Sequence, residues 1–312
     1  MFEEWCGKRY YSFSCHLKKI FGEKVYRVSL DAGFTCPNRD GTLGYGGCIF
    51  CDEAGSRAGY VKPEIPVIEQ LRKGIEFIRE KFGANKFIAY FQAFSNTYAP
   101  PEKLRELYWS VFEIKDVVGI SISTRPDLVS EEVLDVIEEI AEKHYVWLEI
   151  GVQSMHLRSL EKVKRMHGVA ENIDAILRTK KRRNILILAH VILGLPGETV
   201  KEMIETARVL SVLGIDGIKM HHLYVVEGTP LAEIYRRGEL KIFETPREYA
   251  EVAVKFIEHL APKIIIHRLA GRAVEGLVAP LWSSNKFVAQ QEIEKILEEL
   301  NTWQGKALKV GL

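Results

Sequence analysis

Residues 36–51 read CPNRDGTLGYGGCIFC and place three cysteines, Cys36, Cys48 and Cys51, on one glycine-rich loop. The last two form a C-x-x-C pair, with the aromatic Phe50 directly before the final cysteine. A closed zinc site needs four ligands, whereas an iron–sulfur cluster held by three cysteines keeps one iron free for another molecule. The loop therefore predicts a metal cluster with one open coordination position.

The glycines of this loop have a physical use. Gly41, Gly44, Gly46 and Gly47 allow positive φ angles, so the backbone can wrap closely around a bulky cluster and offer N–H groups to its sulfides. The loop lacks the G-K-[ST] ending of a phosphate-binding loop, which excludes a nucleoside triphosphate site of that kind. A structural zinc site completed by Cys15 or by a histidine is the alternative interpretation.

Size and charge exclude several classes of protein. The chain has 312 residues and a formal net charge of +1, which gives no electrostatic argument for nucleic acid or membrane binding. The N-terminus has no apolar signal-peptide core, and no apolar run approaches the ~18 residues of a membrane span. The five cysteines match no secreted disulfide framework. We expect a soluble, cytoplasmic protein without a membrane segment, with Cys6 and Cys15 as ordinary free thiols rather than a disulfide.

Short β-branched runs alternate with amphipathic segments, a rhythm typical of a parallel sheet with helical crossovers. Six such units lie between Val25 and Arg237, and eight would make a full barrel. The predicted fold class is α/β, a partial (β/α)6 TIM-like barrel with a C-terminal α/β extension. The expected parts are an N-terminal segment (1–24), the core (25–240) and an extension (241–312) that packs on the core. The predicted strands of the core are Val25–Ala32, Lys86–Gln92, Val117–Ser123, Tyr145–Val152, Ile185–Leu193 and Gly217–Leu223.

Polar side chains mark the ends of all six predicted strands. In parallel βα folds, functional groups lie at the carboxyl ends of the strands. A polar side chain in a buried parallel sheet is costly unless it is paired, so these groups together predict one site at the barrel mouth. Besides the cysteines, the residues concerned are Gln92, Ser95, Arg125, Glu149, Gln153, His190, Gly194, Lys219 and His221.

Further segments carry a resemblance to a known family. They are AYFQAFSNTYA, STRPD, WLEIGVQS, HVILGLPGET, DGIKMHHLYVVEGT and APLWSSNKF, and with the cysteine loop they span residues 34–287. The sequence resembles the radical S-adenosylmethionine (radical SAM) superfamily and, within it, the YhcC-like proteins, which are related to the Elongator catalytic subunit and to oxygen-independent coproporphyrinogen oxidase. Eleven residues separate Cys36 from Cys48, where the commonest superfamily spacing is C-x3-C-x2-C. The YhcC-like proteins share this longer gap. The chain is too short to hold the acetyltransferase domain of the Elongator subunit.

The resemblance implies an enzyme with two cofactors, a 4Fe-4S cluster and S-adenosylmethionine. Reductive cleavage of S-adenosylmethionine gives a 5′-deoxyadenosyl radical, which abstracts hydrogen from a substrate that the sequence does not identify. The implied partners are an electron donor, flavodoxin- or ferredoxin-like, and a substrate that is either a small molecule or RNA.

The resemblance also implies roles for single residues. Cys36, Cys48 and Cys51 are cluster ligands, and Arg125, Lys219 and His221 are candidates for substrate contacts. The residues expected near S-adenosylmethionine are Phe50 and Gly194 at the adenine, Gln92 and Ser95 near the methionine amino group, Glu149 and Gln153 near methionine or ribose, and His190 near ribose.

Plainer interpretations stand beside these roles. A single histidine on a strand is more often a core residue with hydrogen-bond partners in the protein than a ligand. Arg125 can have the structural role of anchoring the turn at Asp127. His221 and His222 are adjacent on a strand, so at most one faces the barrel interior.

Two basic runs, Lys162–Arg165 and Lys180–Arg183, indicate either an RNA surface or solvated charge. The alternatives to a small-molecule radical SAM enzyme are therefore a tRNA-modifying enzyme and a non-catalytic zinc-binding barrel.

Overall fold

The computed structural model describes residues 2–53, 55, 57, 61–271 and 275–308, with the backbone alone at residue 286. Over these residues the chain is an α/β fold, a curled half-barrel of parallel strands with helices on its outer face. None of the helices so described is both long enough and apolar enough to cross a bilayer.

Seven strands form one parallel sheet and follow each other across it in chain order. They are β1 (Val25–Leu30), β2 (Lys86–Phe91), β3 (Val117–Thr124), β4 (Tyr145–Gln153), β5 (Ile185–Leu193), β6 (Gly217–His222) and β8 (Ile265–Arg268). The short strands β7 (Val225–Val226) and β9 (Leu277–Ala279) form a separate antiparallel pair. The predicted partial barrel is confirmed. It has seven strands rather than six, because the short strand of the extension, predicted at Lys263–Arg268 and found at Ile265–Arg268, pairs with β6.

The helices connect the strands as the sequence rhythm predicts. Ser130 caps one of them by accepting a hydrogen bond from Val133 N–H at 3.3 Å, and Gly214, with φ of 67°, ends another. Two short helices, the first and the eighth, were not predicted. In the described part of the chain the helices are α1 (Phe13–Phe21), α2 (Val67–Phe82), α3 (Pro101–Ser110), α4 (Glu131–Ala141), α5 (Leu157–Lys162), α6 (Val169–Lys180), α7 (Val200–Leu213), α8 (Pro230–Arg236), α9 (Pro246–Glu258) and α10 (Lys286–Glu299).

Helix α1 closes the amino-terminal end of the half-barrel, a role that the sequence did not reveal for residues 1–24. The ring of Phe13 stacks on that of His267 with centroids 3.7 Å apart, and meets Trp147 edge-on at 6.0 Å. Ser12, directly before the helix, forms a bridge with Ile266 of β8. Since this end is filled with apolar side chains, the opposite, carboxyl end of the strands is left for the site.

The curvature of the sheet brings distant strands together inside the barrel. In a flat sheet, β1 and β4 would be separated by about 14 Å, three strand spacings. Here Arg27 of β1 contacts Glu149 of β4 at 3.3 Å, and Lys219 of β6 reaches the same carboxylate. The interior is therefore one compartment shared by strands from both edges of the sheet.

Cys6 and Cys15 form a disulfide, with Cα atoms 5.9 Å apart. Our prediction of two free thiols is therefore wrong. The reason lies in the turn before α1, where Cys6 and Gly7 have φ of 56° and 79° and fold the chain back towards the helix. An odd number of cysteines does not exclude one bridge.

Candidate active site

The cysteine loop follows β1 and is fixed by its own backbone. Cys51 N–H donates to the carbonyl oxygen of Cys48 at 2.9 Å. Gly46 and Gly47 have φ of 78° and 81°, a left-handed conformation that glycine adopts without strain. All three thiols of the loop are free, with Cys48 buried and Cys36 and Cys51 partly exposed. The loop therefore presents three thiols at the carboxyl end of the sheet.

Two side chains donate hydrogen bonds to the buried thiol. Asn38 Nδ2 and Arg165 Nη1 each lie 3.5 Å from Cys48 Sγ. Arg165 also donates through Nη2 to the carbonyl oxygen of Gly151 in β4 at 3.0 Å. A Cβ on residue 151 would lie 2.5 Å from that nitrogen, so glycine is needed there for the guanidinium to approach. Sequence reasoning missed Arg165, because it counted the residue as part of a basic run.

Two further guanidinium groups bring positive charge to the loop. Arg125 is buried, forms a two-point ion pair with Asp127 at 2.9 and 2.8 Å, and lies within electrostatic range of Cys36. Burial, followed by the charge of a neighbouring thiol, raises the pKa of Cys51 to about 12, and the positive charge of Arg39 opposes that rise. The predicted turn-anchoring contact of Arg125 is present, yet its guanidinium also faces the thiols.

The loop can be tested for its fit to a cluster. No group of three or more histidine, cysteine, aspartate or glutamate side chains within the described ranges is arranged to hold a metal ion, and Cys15, the proposed fourth zinc ligand, is bonded to Cys6. Thiolates of a 4Fe-4S cluster each bind a different iron and need not converge on one point. Arg125 Nη1 and Arg165 Nε are buried without a hydrogen-bond partner among the described residues, and cluster sulfides would supply acceptors for them. The residues present therefore fit a three-cysteine cluster.

Inside the barrel, Glu149 of β4 is the centre of a buried polar network. It is 0% exposed, and burial alone would raise its pKa, but Lys219 and then His190 outweigh burial and hold the pKa of this carboxyl well below its usual range. Lys219 also donates to the hydroxyl of Tyr90 at 2.9 Å. The donors to the carboxylate are Arg27 at 3.3 Å, Ser121 at 2.5 Å, Ser123 at 3.2 Å, His190 at 2.7 Å, and Lys219.

This network joins residues for which the family resemblance implied separate roles. Glu149 and His190 were predicted to contact the cofactor, and Lys219 the substrate, yet all three contact one another. Both oxygens of Glu149 are already engaged by donors. The carboxylate can therefore position Lys219 and His190, and has little capacity left to bind a further molecule.

Phe50 and Gly194 each lie beside apolar side chains. Phe50 is partly buried and packs against an apolar cluster that includes Leu195 and Leu223. Gly194 follows β5 with φ of 86°, and a Cβ there would lie 2.7 Å from the ring of Phe243, which packs against the main core. Each of these two predicted adenine neighbours thus has an apolar environment.

Gln92 and Ser95 follow the end of β2, and Gln153 is the last residue of β4. Gln92 Oε1 accepts a hydrogen bond from Ser29 at 3.1 Å, and Ser95 is buried at 1% exposure. Gln153 is partly exposed, and its φ of 64° is left-handed. Such a conformation in a residue with a side chain is strained and is found most often at functional sites.

The tandem histidines point in opposite directions, as predicted. The ring of His221 faces the barrel interior, stacked beside His190 with centroids 5.6 Å apart. His222 instead reaches Ser283 Oγ at 2.6 Å on the other side of the sheet. Burial, followed by the charge of Lys219, lowers the pKa of His190 to about 4, so this imidazole is neutral at physiological pH.

A second residue that sequence reasoning missed is Arg268, the last residue of β8. It pairs in register with Lys219, so its side chain shares the interior face of the sheet. Arg268 is partly exposed. A cation at the carboxyl end of a strand is the signal that would have found it, had the strand been assigned to the sheet.

Residues of both basic runs are buried or form contacts within the protein. Arg182 forms ion pairs with three carboxylates of α4 at 2.5, 2.6 and 3.1 Å, and Lys180 Nζ donates to the carbonyl oxygen of Leu213 at 2.8 Å. In the other run, Val163 and Arg165 are buried. The structure therefore favours the plainer interpretation of both runs over an RNA-binding surface.

Comparison with known proteins decides the family. Residues 36–210 match the family described as the Radical SAM superfamily, and residues 215–299 match the Radical_SAM C-terminal domain. The chain belongs to the radical SAM superfamily. Enzymes of this superfamily bind a 4Fe-4S cluster and S-adenosylmethionine, and they need a reductant and a substrate. This chain is therefore a radical SAM enzyme, with a substrate still to be identified.

Individual relatives agree with this assignment. The chain is 40% identical to YtqA of Bacillus subtilis over 300 residues, covering 96% of this chain and 92% of that protein. It is 36% identical to YhcC of Escherichia coli K12 over 298 residues, covering 95% and 94%. The solved structure of Elp3 from Methanocaldococcus infernus, lacking residues 1–46, matches with a TM-score of 0.66 at 19% identity, over 90% of this chain and 64% of that one. The structural match supports the fold of the radical SAM enzyme, and the two sequence matches confirm the YhcC-like resemblance.

Replacing Arg165 by glutamine is expected to lower the reduction potential of the bound cluster. The guanidinium lies 3.5 Å from Cys48 Sγ, and a nearby cation favours the more negative, reduced cluster. We expect a shift on the order of 60 mV, the one-electron equivalent of about 1.4 kcal/mol, measured by an anaerobic potentiometric titration followed by electron paramagnetic resonance. Arg158→Gln is the matched control, since Arg158 lies on the neighbouring helix and pairs with Glu202 at the surface. An unchanged potential at full iron content in Arg165→Gln would contradict the prediction.

Proposed function

We propose that Cys36, Cys48 and Cys51 hold the 4Fe-4S cluster and that S-adenosylmethionine occupies its open position above the barrel interior. The observation that carries this proposal is the set of three thiols on one loop with guanidinium groups around them, two of which have buried N–H groups without acceptors. When bound, the cluster supplies the electron that cleaves S-adenosylmethionine, and the 5′-deoxyadenosyl radical abstracts hydrogen from the substrate.

The other predicted residues take roles that follow from their positions. Phe50 and the backbone at Gly194 form an apolar wall for the adenine. Gln92, Ser95 and Gln153 offer polar groups to the methionine and ribose, since they lie at the carboxyl ends of β2 and β4. His190, neutral and held by Glu149, offers a hydrogen bond to a hydroxyl group.

The candidates for substrate contacts were Arg125, Lys219 and His221. Their positions in the structure indicate a different role for each. Arg125 faces the thiols, and we propose that it stabilises the cluster. Lys219 is fully buried in the ion pair with Glu149, so its proposed role is to shape the interior. Of the three, His221 is the one we keep as a substrate contact.

We infer that the electron comes from a small redox protein of the flavodoxin or ferredoxin kind, which would approach the exposed outer side of the cysteine loop. Tyr45 on that loop is 85% exposed. A cytoplasmic location is also a proposal. The support for this location is now limited to the three free thiols of the loop, because Cys6 and Cys15 form a disulfide.

Anaerobic reconstitution of the full chain with iron and sulfide tests this function. The expected product has the optical spectrum of a 4Fe-4S cluster, and on addition of dithionite and S-adenosylmethionine it releases 5′-deoxyadenosine and methionine, measured by mass spectrometry. Zinc without labile sulfide would support the zinc-binding alternative. A loaded cluster that releases no 5′-deoxyadenosine would overturn the proposed chemistry.

The tRNA-modifying alternative has a separate test. Retention of the enzyme on a bulk tRNA column at moderate salt would support it, and retention should fall when exposed lysines are neutralised. The contacts of Arg182 with α4 make the run at 180–183 a poor candidate for that surface. Absence of retention would favour a small-molecule substrate.

A further inference from the structure

The barrel interior holds more positive than negative charge. Arg27, Lys219 and Arg268 lie close enough for their charges to act on one another. Glu149 is the one carboxylate that pairs with any of them in the described ranges, through Arg27 at 3.3 Å and through Lys219. Three cations thus share a single negative charge, which is costly in a partly desolvated compartment unless an anion completes it.

Arg268 carries a charge that no carboxylate among the described residues pairs with. Within the described residues its guanidinium has no hydrogen bond and no ion pair, although five N–H donors are available. Burial acts first to lower the pKa of Arg268. Tyr90 opposes that effect, and the positive charge of Arg27 adds to it. A surface arginine is satisfied by water, but this one lies on the interior face in register with Lys219.

A second polar atom is also without a partner. His221 Nε2 is buried and has no hydrogen-bond partner among the described residues, and Arg268 is the cation that acts most strongly on this imidazole. Residue 271 beside this imidazole is glycine, and a Cβ there would lie 3.2 Å from His221 Nδ1. Unpaired buried polar atoms are rare in folded proteins and point to a missing hydrogen-bond partner.

The charge of Arg268 acts in the same region as the cysteine loop. Tyr224 is within electrostatic range of Arg268 and also of Cys51 and Asp52. A molecule held by Arg268, which lies in register with Lys219, would therefore be in the barrel interior, the compartment where the substrate must be. S-adenosylmethionine, by the proposed function, keeps its own carboxylate at the cluster.

We propose that the barrel interior binds an anionic group of the substrate, a carboxylate or a phosphate, on the guanidinium of Arg268, with His221 and Arg27 beside it. Arginine presents a planar fork of donors that matches both groups. This assignment rests on the proposed function, because it treats the barrel interior as the substrate compartment. It names the chemical class of the substrate, which neither the family nor the strand-end residues identify.

Titration calorimetry on the cluster-loaded full chain tests the assignment, with inorganic phosphate and malonate as probes. Saturating S-adenosylmethionine is present without reductant, so that the open position of the cluster is blocked, and potassium chloride fixes the ionic strength. We expect saturable binding of one anion per chain, and the preferred probe distinguishes a phosphate from a carboxylate substrate. Arg268→Gln is expected to weaken that binding by at least about tenfold.

Controls separate this site from general charge effects. Arg105→Gln removes an exposed arginine that pairs with Glu139 and should leave anion binding unchanged. Arg268→Lys keeps the charge but loses the fork, so an intermediate loss is expected, and it serves as the second variant if Arg268→Gln does not fold. Equal binding in the wild type and in the folded Arg268 variants would overturn the proposal, as would absence of saturable binding of either anion.

Two further outcomes keep this inference distinct from the proposed function. If the anions bind only when S-adenosylmethionine is absent, Arg268 serves the cofactor carboxylate and the assignment to the substrate is wrong. If the wild type binds the anion through Arg268 but releases no 5′-deoxyadenosine on reduction, the proposed chemistry fails while the anion site stands.

Discussion

Replacing Cys36, Cys48 or Cys51 by alanine is expected to abolish both assembly of the 4Fe-4S cluster and cleavage of S-adenosylmethionine. A cluster held by three thiolates cannot lose one and keep both its irons and its open position. Changes in groups that merely support a metal ligand already cost about 10–100-fold in affinity or activity, so loss of a ligand should exceed about 100-fold. Iron and sulfide content, and 5′-deoxyadenosine release after reduction, measure the two effects.

The disulfide provides the control for this experiment. Cys6 and Cys15 lie at the amino-terminal end of the barrel, beside α1, whereas the cysteine loop follows the carboxyl end of β1. The double replacement Cys6→Ala with Cys15→Ala removes two sulfur atoms without touching the loop. It should keep cluster content and cleavage at the wild-type level. Cleavage by a variant that lacks Cys36, Cys48 and Cys51 together would show that the central assignment is wrong.

The elements of the core could be predicted because each has a signal in its own stretch of sequence. Parallel strands buried on both faces read as continuous apolar runs, as in Ile185–Leu193, which we predicted with the bounds the structure has. The helix Val200–Leu213 also has the predicted bounds, because Gly214 marks its end, and in the structure Thr199 caps its start. These signals need no knowledge of the rest of the fold.

The parts of the fold that could not be predicted depend on distant partners. Helix α1 is nine residues long, is marginal by its own propensity, and is held by aromatic rings of the barrel. The strand at Ile265–Arg268 was predicted, at Lys263–Arg268, but its place in the main sheet depends on pairing with β6. The local sequence predicts neither of these contacts.

The candidate site divides in the same way. Polar residues at strand ends could be predicted from alternation and from the cost of burying them. The hydrogen-bond and ion-pair partners of these residues could not be predicted. Lys164 and Met166 have φ of 52° and 61°, and this pair of left-handed residues turns Arg165 towards the thiols. Such conformations are uncommon without glycine. The orientation of Arg165 towards the thiols therefore could not be predicted from its basic run.

Replacing Glu149 by glutamine is expected to destabilise the fold more than any change at the protein surface. Lys219 would stay buried at 0% exposure without its carboxylate, and removing one partner of a buried ion pair costs about 3–5 kcal/mol. Urea denaturation of the cluster-loaded full chain, followed by circular dichroism under anaerobic conditions, measures the loss. Glu139→Gln is the matched control. Its carboxylate pairs with Arg105 at the surface, where ion pairs contribute little, so the urea midpoint should not change.

A double replacement separates the ion pair from its individual charges. Lys219→Met removes the cation, and combining it with Glu149→Gln leaves no uncompensated charge between these two positions. The cost of the double variant should therefore be clearly smaller than the sum of the two single costs. Additive costs would mean that the two side chains do not act as a pair.

The pH dependence gives a second test with a defined sign. The pKa of Glu149 is held well below its usual range by Lys219 and His190, against the effect of burial. A carboxyl whose pKa is lower in the folded state contributes stability above its unfolded pKa of about 4.3, and this contribution is lost as pH falls through the folded value. Burial lowers the pKa of Lys219 against the effect of Glu149, so the variant itself loses stability as pH falls. The difference in unfolding free energy between the wild type and Glu149→Gln should thus not narrow from neutral pH down to about pH 5, and should narrow only below that. Narrowing near neutral pH would mean that Glu149 is protonated there, and that the buried network is not held together by its charge.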